Sequence, residues 1–599
     1  MLVTQNLIKD QETLPRWNLT DLYSSVDDEK ISEDLKDAKD KAQAFSNKYN
    51  GMFVEAEKWQ PCDLLSAIQD YEVISEILQK LGSYAGLFYY TNLKDSKAQQ
   101  FNQKIQEKVT EIASHLIFFT LDLNKIEDVD LQNVYQAEKG LVRYKSWFDN
   151  LRAFRPHQLS PDLEKLFMEK SLTSSSAWGR LFEETLTGIK FTVDDKALSI
   201  TQVLDYMSHK DPEQRLKGAT SLSKGLSDNI GIFTFITNTL AKDKEIEDTW
   251  RHYPTPTTER HLANQVEGEV IEALASAVKA SYPSLSHRYY AIKAKILGVK
   301  KLEYWDRNSP LPHADDQYID YEQAKSTVLN AYQAFSPKMA ELVQRFFDKG
   351  WIDVPPYDGK TSGAFSHSTV PSVHPYILLN YQGKMRDVMT LAHELGHGVH
   401  QILAGEQGVI LSSTPLTIAE TASVFGEMLT FRSLLANTKD QIQRRNLLAS
   451  KVEDMLNTVV RQIAFYEFEK QIHDGRRLGE LSPDDIGEIW FKTQAEALGP
   501  SVNIDPIVRP FWSYISHFIH SPFYVYAYAF GDCLVNSLYA VYQTSPDGFV
   551  ERYIEMLQKG GSERYSELLA PFGLNARDPL FWQKGLDMIS GFIDELEAI

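Results

Sequence analysis

What most constrains this chain is its shortage of helix breakers. Only 31 Gly and 24 Pro occur in 599 residues, where ordinary usage would supply about 42 and about 30. Between them Ala, Leu, Glu and Lys are abundant, residues that lose little on entering a helix. The sequence therefore predicts long helices. In 28–48 (DEKISEDLKDAKDKAQAFSNK), Ile31, Leu35, Ala38 and Ala42 recur at three- and four-residue spacing, one apolar stripe along a helix. Residues 62–92 and 96–120 repeat the style and predict antiparallel helices joined by short loops. No fixed-period repeat is visible, which argues against a solenoid. Helical periodicity lapses at TGIKFTVDDKALSIT and places a domain boundary near residue 200. RNSPLPHADDQ at 307–317 reads as a polar loop. Residues 351–384 carry Pro, Gly, Ser, aromatics and the β-like run PYILLNY, and predict one or two short strands beside an otherwise helical, mainly α protein.

Charge and cysteine usage narrow the function. The net charge is −20, so nucleic acid and anionic membrane would repel this chain and are not expected partners. Cys62 and Cys533 are the only cysteines. They exclude a disulfide scaffold and a Cys-based zinc ribbon, and they fit a reducing compartment. No apolar run reaches the ~18 residues of a membrane span. The start, MLVTQNLIKDQETLPRW, lacks the basic-then-apolar layout of a secretory leader. A cytoplasmic protein is expected.

The chemistry concentrates in VMTLAHELGHGVHQ at 388–401. On a helix, four residues turn about 400° and rise about 6 Å, so His393 and His397 stand one above the other on one face. Their imidazoles can converge on one zinc ion. Glu394 is turned about 100° from His393, poorly placed as a ligand yet near enough to act as general base on a water at the metal. Val388, Leu391, Ala392 and Leu395 make the helix apolar around these groups. Burying two imidazoles and a carboxylate without a partner would be costly, and a metal supplies the partner. Gly396 and Gly398 each weaken a helix by up to about 1 kcal/mol relative to Ala.

A catalytic zinc wants a third protein ligand and one open position. LSSTPLTIAETASVFGEMLTFRSLL (411–435) reads as a second helix, capped by Thr414 with Pro415 in its first turn. Glu420 lies among Ile418, Ala419, Ala422, Val424 and Phe425 and is assigned as third ligand. Glu427 falls back near the same face after about 700° of rotation. It is read as the acceptor that orients a ligand histidine, the alternative being a surface salt bridge. His400 reads as a core or supporting histidine.

HELGH followed by ETASVFGE resembles the thimet-oligopeptidase-like family of zinc peptidases, and within it the oligoendopeptidase F subfamily. PRWNLTDLYSS (15–25), KTSGAFSHS…HPYILLNYQG (360–383) and HFIHSPFYVYAYAFG (517–531) carry the likeness over most of the chain. The resemblance implies a large multi-helix, clam-like body with a deep channel admitting unfolded oligopeptides. With the boundary near residue 200 it gives an N-terminal helical domain over 1–200 and a zinc peptidase domain over 201–599, and it implies one Zn2+ on His393, His397 and Glu420, with Glu394 as base. It also implies a C-terminal His and tyrosines that bind the reacting carbonyl. Ser521 and Pro522 predict a helix over 521–541, with Tyr524, Tyr528 and Asp532 on one face and Tyr526 pointing elsewhere. His517 and Tyr528, then Tyr524, are the expected donors; the alternative is that YVYAYAF is aromatic core. Near Gly363 and Ala364 the resemblance favours a strand that pairs with an extended peptide substrate, where residues alone read as a loop.

The resulting expectation is a zinc endopeptidase acting on short unfolded peptides. Two rivals stand beside it: a zinc exopeptidase of the same build, and a non-catalytic helical peptide binder.

Overall fold

A computed structural model describes residues 14–55, 59–171, 173–312 and 318–599. Most of the N-terminal stretch read above, and 313–317 of the polar loop, lie outside the described residues. Helices carry most of the chain, with a few two- and three-residue strands. Two compact units interleave along the sequence. One comprises Met1–Arg155, Asp316–Ala436 and Ser545–Gly573; the other comprises Pro156–Asp315, Asn437–Thr544 and Leu574–Ile599.

The first unit opens with the expected antiparallel helices, Glu29–Tyr49, Pro61–Tyr90 and Ser96–Ala113. The Asp28 side chain caps the first of them by accepting from Lys30 N–H, satisfying an otherwise orphan donor. Its stripe is buried as the spacing requires: Ala38, Ala42, Phe45 and Tyr49 enter one core with Phe53, Phe119 and Phe148, and Leu35 packs at its edge.

Three short strands occupy the 351–384 segment: β1 Ile352–Asp353, β2 Phe365–His367 and β3 Tyr376–Leu378. β3 is central, parallel to β1 and antiparallel to β2, with Phe365 opposite Leu378 and His367 opposite Tyr376. PYILLNY thus supplies the buried middle strand, and β2 is an edge strand. The sheet packs on α1, Met385–Ala404, whose Val388, Leu391, Ala392, Leu395, Val399 and Leu403 are buried. Helices Tyr321–Phe335, Pro337–Asp348 and Phe549–Gln558 cover α1 on its other sides.

The second HELGH-linked helix differs from expectation. A single turn, Leu416–Ala419, starts from Pro415 without a side-chain cap, so Thr414 is not the cap. Glu420 closes that turn at φ −77°, ψ −1°, and α2 runs separately over Thr421–Asn437. Glu420 therefore sits at a break between two helical pieces and not inside one.

The second unit contains helices Ile230–Trp250, Gly268–Ala280, α3 Val460–Leu478, Pro483–Leu498, α4 Tyr526–Thr544 and Pro579–Glu597. The lapse in periodicity near residue 200 is a hairpin, Phe191–Val193 against Lys196–Leu198. The helix expected over 521–541 starts late, at Tyr526. Phe523 takes a left-handed φ of 59°, and its N–H donates to the buried Glu469 carboxyl at 2.9 Å. That tertiary bond from α3 holds residues 521–525 as a turn and overrides the Ser-Pro start signal.

Candidate active site

α1 presents His393 and His397 with ring centroids 4.9 Å apart. The Oε2 atom of Glu420 lies 3.4 Å from His393 Nε2 and 3.5 Å from His397 Nε2. Two ligands on a tetrahedral ion, each bonded at about 2.1 Å, are separated by about 3.4 Å. These edges are too long for good hydrogen bonds and the right length for a shared ion. The three residues form the one His/Cys/Asp/Glu group among the described residues that could hold a metal. Two imidazoles and one carboxylate are also a donor set that zinc takes readily.

The close approach of α2 to α1 depends on glycine. A Cβ built on Gly396 would lie 2.6 Å from Ser423 Cα and closer still to the Ala422 carbonyl. A Cβ on Gly426 would collide with the Tyr332 hydroxyl, which donates to Ala392 O at 3.1 Å. The two glycines let backbone meet backbone and bring Glu420 to the histidines. Ser423 then donates to Glu420 Oε2 at 2.6 Å.

Each of the two rings has a neighbour on its far side. His393 Nδ1 lies 3.4 Å from Glu427 Oε2. The Ala419 carbonyl is close enough to the His397 ring to favour its protonated form. His400 is buried and shares that carbonyl, while its Nε2 has no partner; it supports the site from the core. Burial pushes His393 down, but the neighbouring carboxylates of Glu427, Glu420 and Glu394 outweigh it and hold the ring up at about 9. Burial lowers His397 to about 4. Burial would raise Glu420, yet His397, His393 and Ser423 pull it below the usual carboxylate range.

Glu394 is only 6% exposed. Burial raises its carboxyl to about 7, with Glu420 adding to the rise, His393 opposing it, and the Ser366 N–H donating to it. Ser366 belongs to β2 and also donates from its hydroxyl to Gln401 Oε1 at 2.8 Å. Gly363 (φ 83°) and Ala364 lead directly into this edge strand. Ser366, Ser423 and the Ala419 carbonyl have no signature in the sequence; only the β-like run PYILLNY marks where Ser366 could find a strand partner.

In the second unit, His517 Nε2 lies 3.3 Å from the Tyr528 hydroxyl. Tyr524 stacks on His517 at 6.1 Å and meets Tyr528 edge-on at 5.3 Å. The three are partly exposed, whereas Tyr526 is buried against His261 and Asn264, as its position predicts. Asp532 is buried and accepts from Asn536. Burial, aided by Arg461, keeps the His517 pKa below the usual imidazole value. Neutral His517 can donate from one nitrogen.

Comparison with known proteins places these residues in a family. The profile described as peptidase family M3 matches residues 206–588, and one described as oligopeptidase F matches 122–191. Oligopeptidase PepF of Bacillus subtilis (strain 168) is 26% identical over 602 aligned positions, covering 99% of this chain and 88% of its own. A crystal structure of a Chlamydophila abortus protein superposes with a TM-score of 0.83 at 22% identity, covering 98% of this chain and 99% of that one. Oligoendopeptidase-F from Enterococcus faecium gives a TM-score of 0.69 at 19% identity, covering 95% and 97%.

Proposed function

This chain belongs to peptidase family M3, and on that premise we propose that it is a zinc-dependent oligoendopeptidase cutting internal bonds of short unfolded peptides, with Glu394 as general base. The observation that carries the proposal is the position of one Glu420 oxygen, 3.4 Å and 3.5 Å from two histidine nitrogens, with the Glu394 carboxyl beside them on α1. His393, His397 and Glu420 would hold one Zn2+. The chemistry supplied by that ion is Lewis acidity, which acidifies water and polarises a carbonyl.

The protein groups do the rest. Glu394 accepts a proton from the attacking water and returns one to the leaving amine. The Ser366 N–H holds it in place. Glu427 and the Ala419 carbonyl fix the two rings. The edge strand reached through Gly363 and Ala364 offers backbone groups to an extended peptide. His517, Tyr528 and Tyr524 are assigned to the reacting carbonyl as hydrogen-bond donors; the resemblance and their mutual packing support this. The cytoplasmic location draws on the two unpaired cysteines, Cys62 exposed and Cys533 buried. Among the described residues no helix is long and apolar enough to cross a membrane. The division into an N-terminal domain over 1–200 and a peptidase domain over 201–599 is likewise proposed, on the separate matches to 122–191 and 206–588.

An internally quenched peptide blocked at both ends tests the reading. Wild type should cleave it and chelation should stop cleavage. Glu394→Gln should retain zinc and lose about 10²–10⁴ in rate, while His397→Ala should lose zinc. Cleavage confined to peptides with a free end would establish the exopeptidase instead, and wild-type rates from Glu394→Gln would remove the assigned base.

A further inference from the structure

The second unit holds a buried charge cluster beside His517 that does not balance. Arg215 Nε donates to Asp306 Oδ1 at 2.9 Å, and Lys293 is paired with Glu453. Lys293 also donates to the Arg307 carbonyl at 2.8 Å, and two further cations, Arg307 and Arg461, act on one another electrostatically. Neither of these forms an ion pair with a described carboxylate. The groups that face them are each other and the phenols of Tyr290, Tyr304 and Tyr514.

Arg307 is buried, lies 4.4 Å over the Tyr304 ring and donates to its hydroxyl at 2.9 Å. Arg461, at the start of α3, is partly exposed. Its Nε is buried without an acceptor. Its guanidinium lies 5.0 Å over Phe465, and Phe465 packs at 5.4 Å on Phe518, the residue after His517. Tyr514 joins the same wall through Phe511, at 6.1 Å. In a chain of net charge −20, adjacent guanidiniums without a counter-ion are costly to desolvate. An arginine fork in such a place is shaped for a carboxylate.

We infer that Arg461, backed by Arg307 and Tyr514, is a subsite for a carboxylate of the bound peptide, next to the His517–Tyr528 pair. The inference rests on the reading that this pair meets the reacting carbonyl. A peptide brings a carboxylate in two ways, at its free C-terminus or on an Asp or Glu side chain. Arg461 would then set which oligopeptides are cut well, as a specificity residue.

The test uses the full-length zinc-loaded protein and matched quenched peptides of one neutral sequence: a C-terminal amide, the free acid, and amides with Glu at each position in turn. Wild type should favour one anionic form over the neutral amide by roughly ten- to hundredfold in kcat/KM, mostly through KM. A preference for the free acid assigns the C-terminus; a preference for one Glu position assigns a side chain. Arg461→Gln should flatten that ratio, and Arg461→Lys, which keeps charge but loses the fork, should reduce it several-fold. Equal wild-type rates on all peptides overturn the subsite, as does a preference that survives Arg461→Gln. If Arg461→Gln does not fold, an unchanged ratio in Arg461→Lys overturns it. Failure of wild type to cut any of the peptides refutes the peptidase reading itself, and the subsite falls with it.

Discussion

Replacing Gly396 by Ala sets helix propensity against packing. Propensity alone favours Ala in a helix interior by up to about 1 kcal/mol. The structure points the other way. The added Cβ would lie 2.6 Å from Ser423 Cα and closer to the Ala422 carbonyl, about 1 Å inside ordinary carbon contact. Both obstacles are backbone, so no rotamer change relieves them. The start of α2 must retreat by about 1 Å, and overpacking of this kind costs about 1–3 kcal/mol, enough to cancel or exceed the propensity gain. Glu420 immediately precedes α2 and moves with it. Its 3.4 Å and 3.5 Å separations from the histidine nitrogens would widen towards about 4.5 Å, beyond the about 3.4 Å that one tetrahedral ion spans. Zinc affinity should therefore fall by at least about tenfold, since each 1.4 kcal/mol is a factor of ten. Metal retained against graded chelator, with thermal unfolding of the chelated protein alongside, reads both quantities. A variant that holds zinc as tightly as wild type and unfolds at the same or a higher temperature would show that the α1–α2 contact does not set the ligand position.

Two further outcomes follow from groups around the centre and within α3. Glu427→Gln replaces the carboxylate next to His393 Nδ1 and should weaken zinc binding about 10–100-fold; unchanged affinity in a chelator competition would mean His393 is oriented without it. Glu469 is buried, and burial raises its carboxyl to about 8, against a smaller opposing pull from the Phe523 N–H and Arg260. The folded pKa exceeds the unfolded value of about 4.3, so the folded state binds the proton more tightly. Its contribution to stability is complete below about pH 4.3 and is lost as pH rises through about 8, by roughly 1.4 kcal/mol per pH unit across that window. Glu469→Gln keeps an acceptor for Phe523 and should abolish the slope. Urea unfolding from pH 5 to 8 checks it, and equal pH dependence in the two proteins would refute it.

How much of the site could be read in advance depends on how many segments each feature needs. His393, Glu394 and His397 lie within about one helical turn, so their geometry follows from helix dimensions alone. The apolar neighbours of Glu420 single it out in the sequence but do not give its setting: Thr414 does not cap, and the residue stands at a break that no local spacing marks. The helix expected from Ser521 failed for a related reason, since the bond that holds Phe523 left-handed comes from Glu469, 54 residues away. Ser366 could not be assigned to Glu394 because its strand exists only when paired with Tyr376–Leu378. The interleaving of the two units, with breaks after Arg155 and Ala436, leaves no mark on composition or periodicity. Gly396 and Gly426 show the division best. Read along one helix, each glycine is a defect; read across two, the same missing Cβ is what admits the neighbouring backbone. A residue that breaks a local rule in a segment rich in chemistry therefore points to a second segment, though the identity of that partner is written only in the fold.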